Sequence, residues 1–320
     1  MTFKLPILAL AGFWGAGLVI PTVFAQVVPS QTPLEGVSLP RQSPADAADP
    51  APGGGQVLLE QAVLALESRR SVSAKIRQSI DLFGKRLFGS GTYAEQQSNR
   101  QMRLRMEMRV QLGERPSSLT QVCDGRYFWT YRDLGAGGSV SRVDLARVNR
   151  VLEESGQIPQ PGRIDQWPGL GGLPKLLRGL NKAFDFDSVE ETQLGGQLPV
   201  WRLRGRWKPD NLAKVLPEQE DAIRSGKPVD LGKLPGYLPD HVVLFLGTED
   251  LFPYRIEYRR REANGKNGKN RPEDRPIVTM DLFEVNLNVP IHPTRFIYSP
   301  GDREFSDQTD RFLERLGLNP

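Results

Sequence analysis

The chain has 320 residues, of which 38% are hydrophobic and 25% are charged, so it is long enough and apolar enough to bury a substantial core. Its 42 basic and 38 acidic side chains are interspersed and give a net charge of only +4, which argues against a nucleic-acid-binding protein. One cysteine, Cys123, excludes an internal disulfide. Because His241 and His292 are distant in sequence, we interpret Cys123 as a buried structural thiol rather than a nucleophile.

Residues 1–25 have the pattern of a secretory signal peptide. Lys4 precedes the apolar run LPILALAGFWGAGLVI, and the small residues Val23 and Ala25 stand at the usual spacing before a cleavage site. The alternative is an uncleaved segment that tethers the protein to a membrane, although the run is barely long enough to span one and contains proline. Cleavage after Ala25 is the preferred interpretation, and it predicts an exported protein.

A proline-rich linker is predicted for residues 26–55, which contain six prolines in thirty positions. Such a segment cannot bury enough apolar surface to order itself, so it is interpreted as a disordered spacer. The folded domain is predicted to span residues 56–320. Its first segment, QVLLEQAVLALESRR, has the spacing of a helix with a broad apolar stripe. The residues of that stripe are Val57, Leu58, Val63, Leu64 and Leu66.

Strands with one covered face and one wet face are predicted next. SAKIRQSIDL and RQMRLRMEMRVQLG alternate apolar and polar residues, and side chains of a strand point alternately to opposite faces. The apolar row of the second segment is Met102, Leu104, Met106, Met108, Val110 and Leu112. Further along, Asp124-Gly125 separates two β-rich runs and predicts a hairpin.

Helices are predicted in the middle of the chain, after which strands resume. SRVDLARVNRVLEESG predicts a helix capped by Ser141, and GGLPKLLRGLNKAF predicts a second, apolar one. Alternating runs over 184–289 predict further strands around an insert at about 207–240, and SDQTDRFLERLGL predicts a last helix. Two or three helices cannot cover so many strands unless the sheet curls around them. We therefore predict an α+β fold with a curled antiparallel β-sheet, an unclosed half-open barrel, and helices covering a hydrophobic cavity.

The order of these motifs resembles a known family. GTYAEQQSNRQMRLRM followed by SLTQVCDGRYFWTYR is similar to the strand, strand and SDGK-x-LW-x-Y run of the periplasmic lipoprotein carrier LolA and its relatives. IHPTRFIYSPGDREFSDQ resembles that family's closing strand and tail. The resemblance spans about residues 56–310, and the insert at 207–240 departs from the family pattern.

The resemblance implies a non-enzymatic periplasmic carrier that holds acyl chains of lipoproteins or lipids in a hydrophobic cavity under a helical lid. It implies an inner-membrane release complex and an outer-membrane acceptor as partners, and we expect a monomer that binds no nucleic acid, cofactor or metal. In the carrier, an arginine before an apolar strand holds the lid shut. By position this arginine matches Arg100, with Gln101 where the family has proline, and Arg103 is the alternative.

The predicted lining of the cavity combines the methionine-rich row with large apolar residues of other strands. These residues are Met102, Leu104, Met106, Met108, Val110, Tyr127, Trp129, Trp201, Leu203, Phe283, Val285 and Phe296. An ordinary packed core is the alternative to a cavity. The alternative function is an envelope interaction or stress-sensor module without cargo, which docks through the insert and the linker. No metal, nucleophile or phosphate-binding motif predicts an enzyme.

Overall fold

The computed structural model describes residues 54–82, 84–98, 101–112, 115–135, 137–155, 171–262 and 273–318. The predicted signal peptide, most of the predicted linker and Arg100 lie outside these residues. The α-helices are α1 (Gly54–Glu67), α2 (Leu145–Glu154), α3 (Gly172–Ala183), α4 (Pro209–Val215), α5 (Glu220–Arg224) and α6 (Thr309–Arg315). The strands are β1 (Ser71–Leu82), β2 (Lys85–Ser98), β3 (Gln101–Leu112), β4 (Arg115–Cys123), β5 (Tyr127–Asp133), β6 (Gly138–Asp144), β7 (Phe184–Leu194), β8 (Leu198–Trp207), β9 (His241–Gly247), β10 (Pro253–Glu262), β11 (Glu273–Leu287) and β12 (Phe305–Asp307).

These twelve strands form one open sheet in the order β12-β6-β5-β4-β3-β2-β1-β11-β10-β9-β8-β7. Strands β1 to β6 form one meander and β7 to β11 form another, and the antiparallel pair β1–β11 joins the two. Neighbouring strands are antiparallel except β12, which pairs in parallel with β6. The two edge strands β12 and β7 do not pair, so the sheet is curled but unclosed. This topology confirms the predicted α+β fold.

The Asp124-Gly125 hairpin between β4 and β5 shows why the local sequence signals were reliable. The carboxylate Oδ1 of Asp124 accepts hydrogen bonds from the backbone N of Arg126 at 2.8 Å and of Tyr127 at 2.7 Å. Gly125 adopts a φ of 98°, a conformation that favours glycine because it carries no Cβ. The turn therefore fixes the register of β4 and β5, as the sequence predicts.

Helices α1, α2, α3 and α6 cover one face of the sheet, which we call the inner face. The largest cluster of buried apolar side chains lies between these helices and the strands. In α1 and α3 the buried residues of this cluster are Leu59, Ala62, Val63, Leu66, Leu173, Leu176, Leu177 and Leu180. The predicted stripe of α1 is partly wrong, because Val57 and Leu64 are 55% and 63% exposed on its other side.

The insert predicted at 207–240 is an ordered connection between β8 and β9. It contains α4, α5 and two short 3-10 helices, Pro217–Gln219 and Leu231–Lys233. Its own small apolar cluster comprises Leu212, Ala213, Leu216, Ile223 and Leu234. Arg260 of β10 anchors the end of the insert, since its Nη1 donates to the carbonyl oxygen of Pro235 at 2.7 Å.

The predicted start of α2 at Ser141 is wrong. Ser141 lies in β6, opposite Thr130 of β5, and the helix begins after Asp144. The Asp144 side chain accepts a hydrogen bond from the backbone N of Arg147 at 3.1 Å, which is the usual geometry of a helix cap. Ser141 and Asp144 are both residue types that cap helices well. Because Ser141 is paired with β5 in the sheet, Asp144 is the residue that caps the helix.

Packing of α3 on the inner face predicts a large difference between two leucine truncations. Leu177 is fully buried in the core cluster, whereas Leu64 of α1 is 63% exposed. We expect Leu177→Ala to lower the free energy of unfolding by about 2–5 kcal/mol and Leu64→Ala by less than about 0.5 kcal/mol. Urea denaturation followed by circular dichroism measures both. Equal losses would contradict the described packing of α3.

Candidate functional site

The inner face brings together eight of the twelve residues predicted to line a cavity. Leu104, Met106, Met108 and Leu203 are buried in the core cluster. Met102, Trp201 and Val285 are partly buried and pack against the same cluster. Val110 is also buried, at the end of the β3 row and opposite Ser117 of β4.

The outer face, turned away from the helices, carries Tyr127 and Trp129 instead. Trp129 belongs to a separate small cluster with Val122 and Val140, against which Tyr127 packs. Its ring also lies 5.1 Å from that of Phe305. Since the neighbouring Phe128 is in the inner core, alternation along β5 sends these two aromatic residues outward. The structure therefore does not place them in the predicted cavity.

Phe283 and Phe296 are also separated from the inner face. A bulge at Glu284, with φ of 49°, shifts the register of β11 so that Val285 packs inward while Phe283 lies under the guanidinium of Arg77, at 5.2 Å. Phe296 is buried and belongs to a C-terminal segment that crosses the outer face. Arg105 of β3 holds that segment, because its Nη1 donates to the carbonyl oxygens of Arg295 at 3.2 Å and Ile297 at 3.1 Å.

A buried polar contact fastens α3 to the sheet, and we call it the latch. The Tyr93 hydroxyl on β2 donates to the carboxylate of Glu95 and accepts a hydrogen bond at 2.9 Å from the backbone N of Leu173, in the first turn of α3. Gly172 permits this approach, since a Cβ there would lie 2.2 Å from Glu95 Oε2, and its φ is 60°. Sequence reasoning missed the latch, although the consecutive glycines 171 and 172 before an apolar helix were a signal for it.

Burial sets the protonation of the latch. It raises the pKa of Glu95 to about 7, with a smaller contribution in the same direction from the negative charge of Glu67. The hydrogen bonds from Tyr93 and from the backbone of Leu173 act in the opposite direction. Burial beside this carboxyl also raises the pKa of the Tyr93 hydroxyl well above its ordinary value. Near neutral pH, Tyr93 is therefore a neutral donor and Glu95 is close to its midpoint.

Polar contacts also join α1 to α3. Arg178 of α3 donates through Nη2 to both carboxylate oxygens of Glu67, at 2.5 and 2.6 Å. Gln56 of α1 donates to the side chain of Asn181. Together with the leucines that the helices bury, these contacts make α1 and α3 one covering unit.

The arginine predicted to hold the lid shut is not seen in that role. Arg100 lies outside the described residues, and Arg103 projects from the outer face of β3, since its neighbours Met102 and Leu104 face inward. In the described part of the chain, the polar contact between α3 and the inner face of the sheet is made by the latch.

The remaining side chains that could act as catalytic groups or metal ligands are buried or dispersed. Burial lowers the pKa of His241 to about 4, so its imidazole is neutral beside Arg204 and Asp274. Burial raises the pKa of Cys123 to about 11, consistent with the predicted structural thiol. Across the described residues, no three His, Cys, Asp or Glu side chains lie close enough to hold a metal. None of the helices in these ranges is long and apolar enough to cross a membrane.

Comparison with known proteins found structural likeness without sequence likeness. No protein-family model matches the chain, and no curated protein matches it. A chain of the MucA/MucB complex of Pseudomonas aeruginosa is similar at 11% identity and a TM-score of 0.38, over 77% of this chain and 61% of that one, so the chain spans about three fifths of that relative. A DUF1329 family protein of Desulfovibrio piger matches at 12% identity and a TM-score of 0.31, over 76% and 96%.

An outer membrane lipoprotein-sorting protein domain of Vibrio parahaemolyticus matches at 8% identity and a TM-score of 0.31, over 76% of this chain and 95% of that one. At these identities and TM-scores, likeness alone carries no conclusion about activity.

The raised pKa of Glu95 predicts a pH-dependent stability. Because the folded state holds the proton more tightly than the unfolded chain, the contribution of Glu95 is fully present below about pH 4.5 and is lost as pH rises through about 7. We expect the melting temperature of the wild type to fall over this range relative to that of Glu95→Gln, which cannot ionise. Differential scanning calorimetry at half-unit pH steps measures the difference. Parallel profiles for the two proteins would contradict the buried, protonated state.

Proposed function

We propose that the protein binds an acyl chain between the inner face of the sheet and the α1–α3 unit, and carries it through the aqueous space between envelope membranes. The observation that supports this most directly is the covering of the inner face. A continuous apolar surface lies under two short helices, and α3 attaches to the sheet through leucines and one small polar latch. No bond to the cargo is made or broken in this function.

Energetics make such a cover replaceable. An acyl chain in water costs about 0.8 kcal/mol for each exposed CH₂ group, which burial on the inner face would recover. In the described state, the same face is occupied by leucines 173, 176, 177 and 180 of α3. The net affinity for cargo is then the difference between two burials, which permits both uptake and release.

The kind of apolar residue also supports a variable occupant. Met102, Met106 and Met108 lie in one row of β3 on the inner face. Methionine has three rotatable bonds and a polarisable sulfur, so it adapts to apolar groups of different shape. A row of branched side chains would specify one packing arrangement more strictly.

The latch is proposed to set how readily the cover opens. It contributes a neutral hydrogen bond from Leu173 N to Tyr93 and a hydrogen bond from Tyr93 to a carboxyl group. A hydrogen bond of this kind contributes about 0.5–1.5 kcal/mol, which is roughly 2- to 10-fold in an opening equilibrium. The latch thus takes the place in this proposal that the resemblance assigned to Arg100.

The ends of the chain complete the proposed route. Residues 1–25 would direct export to the periplasm and be removed, and residues 26–55 would remain as a spacer before the domain at 56–320. An uncleaved segment would instead tether the domain to the membrane. An inner-membrane release complex and an outer-membrane acceptor would hand the cargo on and receive it.

A second candidate function is a protein-interaction module on the same fold. The outer face favours it, because strands β8 and β10 present a field of arginines there, many of them paired with carboxylates, as Arg255 is with Asp281 at 2.5 Å. The ordered insert at 207–240, with its own apolar cluster, would add a docking element. In this case the inner face would be an ordinary packed core.

Uptake of an apolar fluorophore separates the two candidates. The carrier is expected to bind N-phenyl-1-naphthylamine and to release it when oleate is added, because the α1–α3 unit can be displaced. A packed core takes up neither compound. Fluorescence titration of the secreted form, residues 26–320, measures this directly. If the protein takes up no dye at any dye concentration, the carrier function is excluded and the interaction module remains.

Weakening the latch is expected to change the kinetics of the carrier more than its stability. Tyr93→Phe removes the hydroxyl that contacts both Glu95 and Leu173 N, so dye uptake and release should become about 2- to 10-fold faster. Tyr131→Phe is a matched control, since it removes an outer-face hydroxyl 3.3 Å from Asp133. Stopped-flow fluorescence measures both variants. Unchanged rates in Tyr93→Phe would remove the latch from the mechanism.

A further inference from the structure

The inner face changes character along strands β4, β5 and β6. Near Cys123 and Phe128 it is apolar and belongs to the core cluster. Toward the opposite end of the same strands it is polar, and we call this region the polar patch. It consists of Ser117, Gln121, Thr130, Arg132 and Ser141.

Strand register brings the residues of the polar patch close together around Leu119. Thr130 lies opposite Gln121 on one side and Ser141 on the other, and Arg132 lies opposite Leu119. Since Phe128 and Leu119 are in the inner core and β5 is regular, alternation places Thr130 and Arg132 on the inner face as well. The patch therefore adjoins the methionine row, because Leu119 in turn lies opposite Met108 of β3.

Arg132 lies at an inner position of β5, between Leu119 of β4 and Ser139 of β6. Its guanidinium makes no hydrogen bond or ion pair with any residue that the structure describes. Burial lowers its pKa, and no neighbouring acid counteracts that effect. Two residues further on, Leu134 is 52% exposed, so the patch lies at the end of β5 that opens to solvent.

Ser117 adds a second group with unused hydrogen-bonding capacity. The residue is 2% exposed, and its Oγ has no hydrogen-bond partner among the described residues. A buried hydroxyl without a hydrogen-bond partner destabilises the folded state, so its presence calls for an explanation such as a ligand that pairs with it. Arginine and serine can both donate, and a guanidinium cannot accept, so the two together suit an acceptor.

We propose that the polar patch binds the anionic head group of a lipid, a carboxylate or a phosphate, while its acyl chain lies along the methionine row. This inference rests on the proposed function and names the class of cargo. The Arg132 fork donates two parallel hydrogen bonds to two oxygens of the head group, and the Ser117 hydroxyl donates a third. The head group stays at the solvent end of β5, and the chain extends toward Met108 and Met106.

The charges of the patch exclude other head groups. A cationic head would meet Arg132 with no carboxylate on the described inner positions of β3 to β6 to compensate. A neutral ester or amide would supply one acceptor and leave most of the five guanidinium donors unpaired. Only an oxyanion matches the donors in both number and charge.

Competition among three lipids with the same oleoyl chain tests the inference. Oleate carries a carboxylate, 1-oleoyl-lysophosphatidate carries a phosphate, and methyl oleate is neutral. Each lipid is titrated, below the concentration at which that lipid aggregates, against N-phenyl-1-naphthylamine bound to the secreted form, residues 26–320. We expect at least one anionic lipid to compete roughly 10- to 100-fold more strongly than methyl oleate. Selectivity for oleate alone identifies a carboxylate head, and selectivity for lysophosphatidate alone identifies a phosphate.

Variants of the patch assign the selectivity to its residues. Arg132→Gln is expected to abolish the preference for anionic lipids and to leave the affinity for methyl oleate unchanged. Arg132→Lys keeps the charge but loses the fork, so it should retain part of the preference. Arg109→Gln is the control, because Arg109 is exposed on the outer face of β3. If Arg132→Gln does not fold, Ser117→Ala serves in its place, since it removes a hydroxyl without a partner and should lower the preference several-fold.

The outcomes distinguish this inference from the proposed function. Dye uptake with equal competition by all three lipids would overturn the head-group site and leave the carrier intact. An anionic preference that survives both Arg132→Gln and Ser117→Ala would also overturn it. Failure of the wild type to take up dye would remove the carrier and the head-group site together.

Discussion

The whole molecule follows from one requirement, which is to cover the apolar face of an open twelve-stranded sheet with very few helices. A flat sheet of that width would need a full layer of helices. Curling brings β2 and β3 of one meander and β8 and β10 of the other around the same small set of helices. The pair β1–β11 makes this possible because it joins the two meanders into one surface. As a result, the sheet has an unclosed edge on each side, at β12 and β7.

The outer face solves a different problem, since it remains beside water along most of its width. Arginines alternate there with acidic residues, as in the contacts of Glu257 with Arg255 and Arg259. Surface pairs of this kind contribute little stability individually. The exception is the end near β5, where Arg142 lies among the rings of Tyr127, Trp129 and Phe305. The C-terminal segment covers that region, which explains why several large aromatic residues point away from the helices.

The proposed carrier needs a cover that is stable in water and still displaceable, and the attachment of α3 suits both requirements. Its leucines give it apolar contacts that any acyl chain can replace in kind. Its polar attachment is confined to the first turn, where Gly172 allows the backbone to touch Tyr93 and Glu95. The buried carboxyl is near its midpoint at neutral pH, so the strength of this attachment depends on the medium. The polar patch lies on other strands than the latch, so the proposed binding of a head group is separate from the proposed opening of the cover.

The sequence by itself determined the class of fold, because its signals are local. Alternation in strands such as β3, the Asp124-Gly125 turn and the need to cover many strands with few helices together predicted the fold without long-range information. It also identified the methionine row, since Met102, Met106 and Met108 share a period of two with the leucine between them.

Tertiary structure alone decided which face of each strand the helices cover. Both faces of β5 carry large apolar side chains, so alternation separates Phe128 from Trp129 without saying which is inside. The bulge at Glu284 put Phe283 and Val285 on opposite faces, and the latch joins residues eighty positions apart. Periodicity cannot report contacts of this kind, because they depend on how the sheet curls.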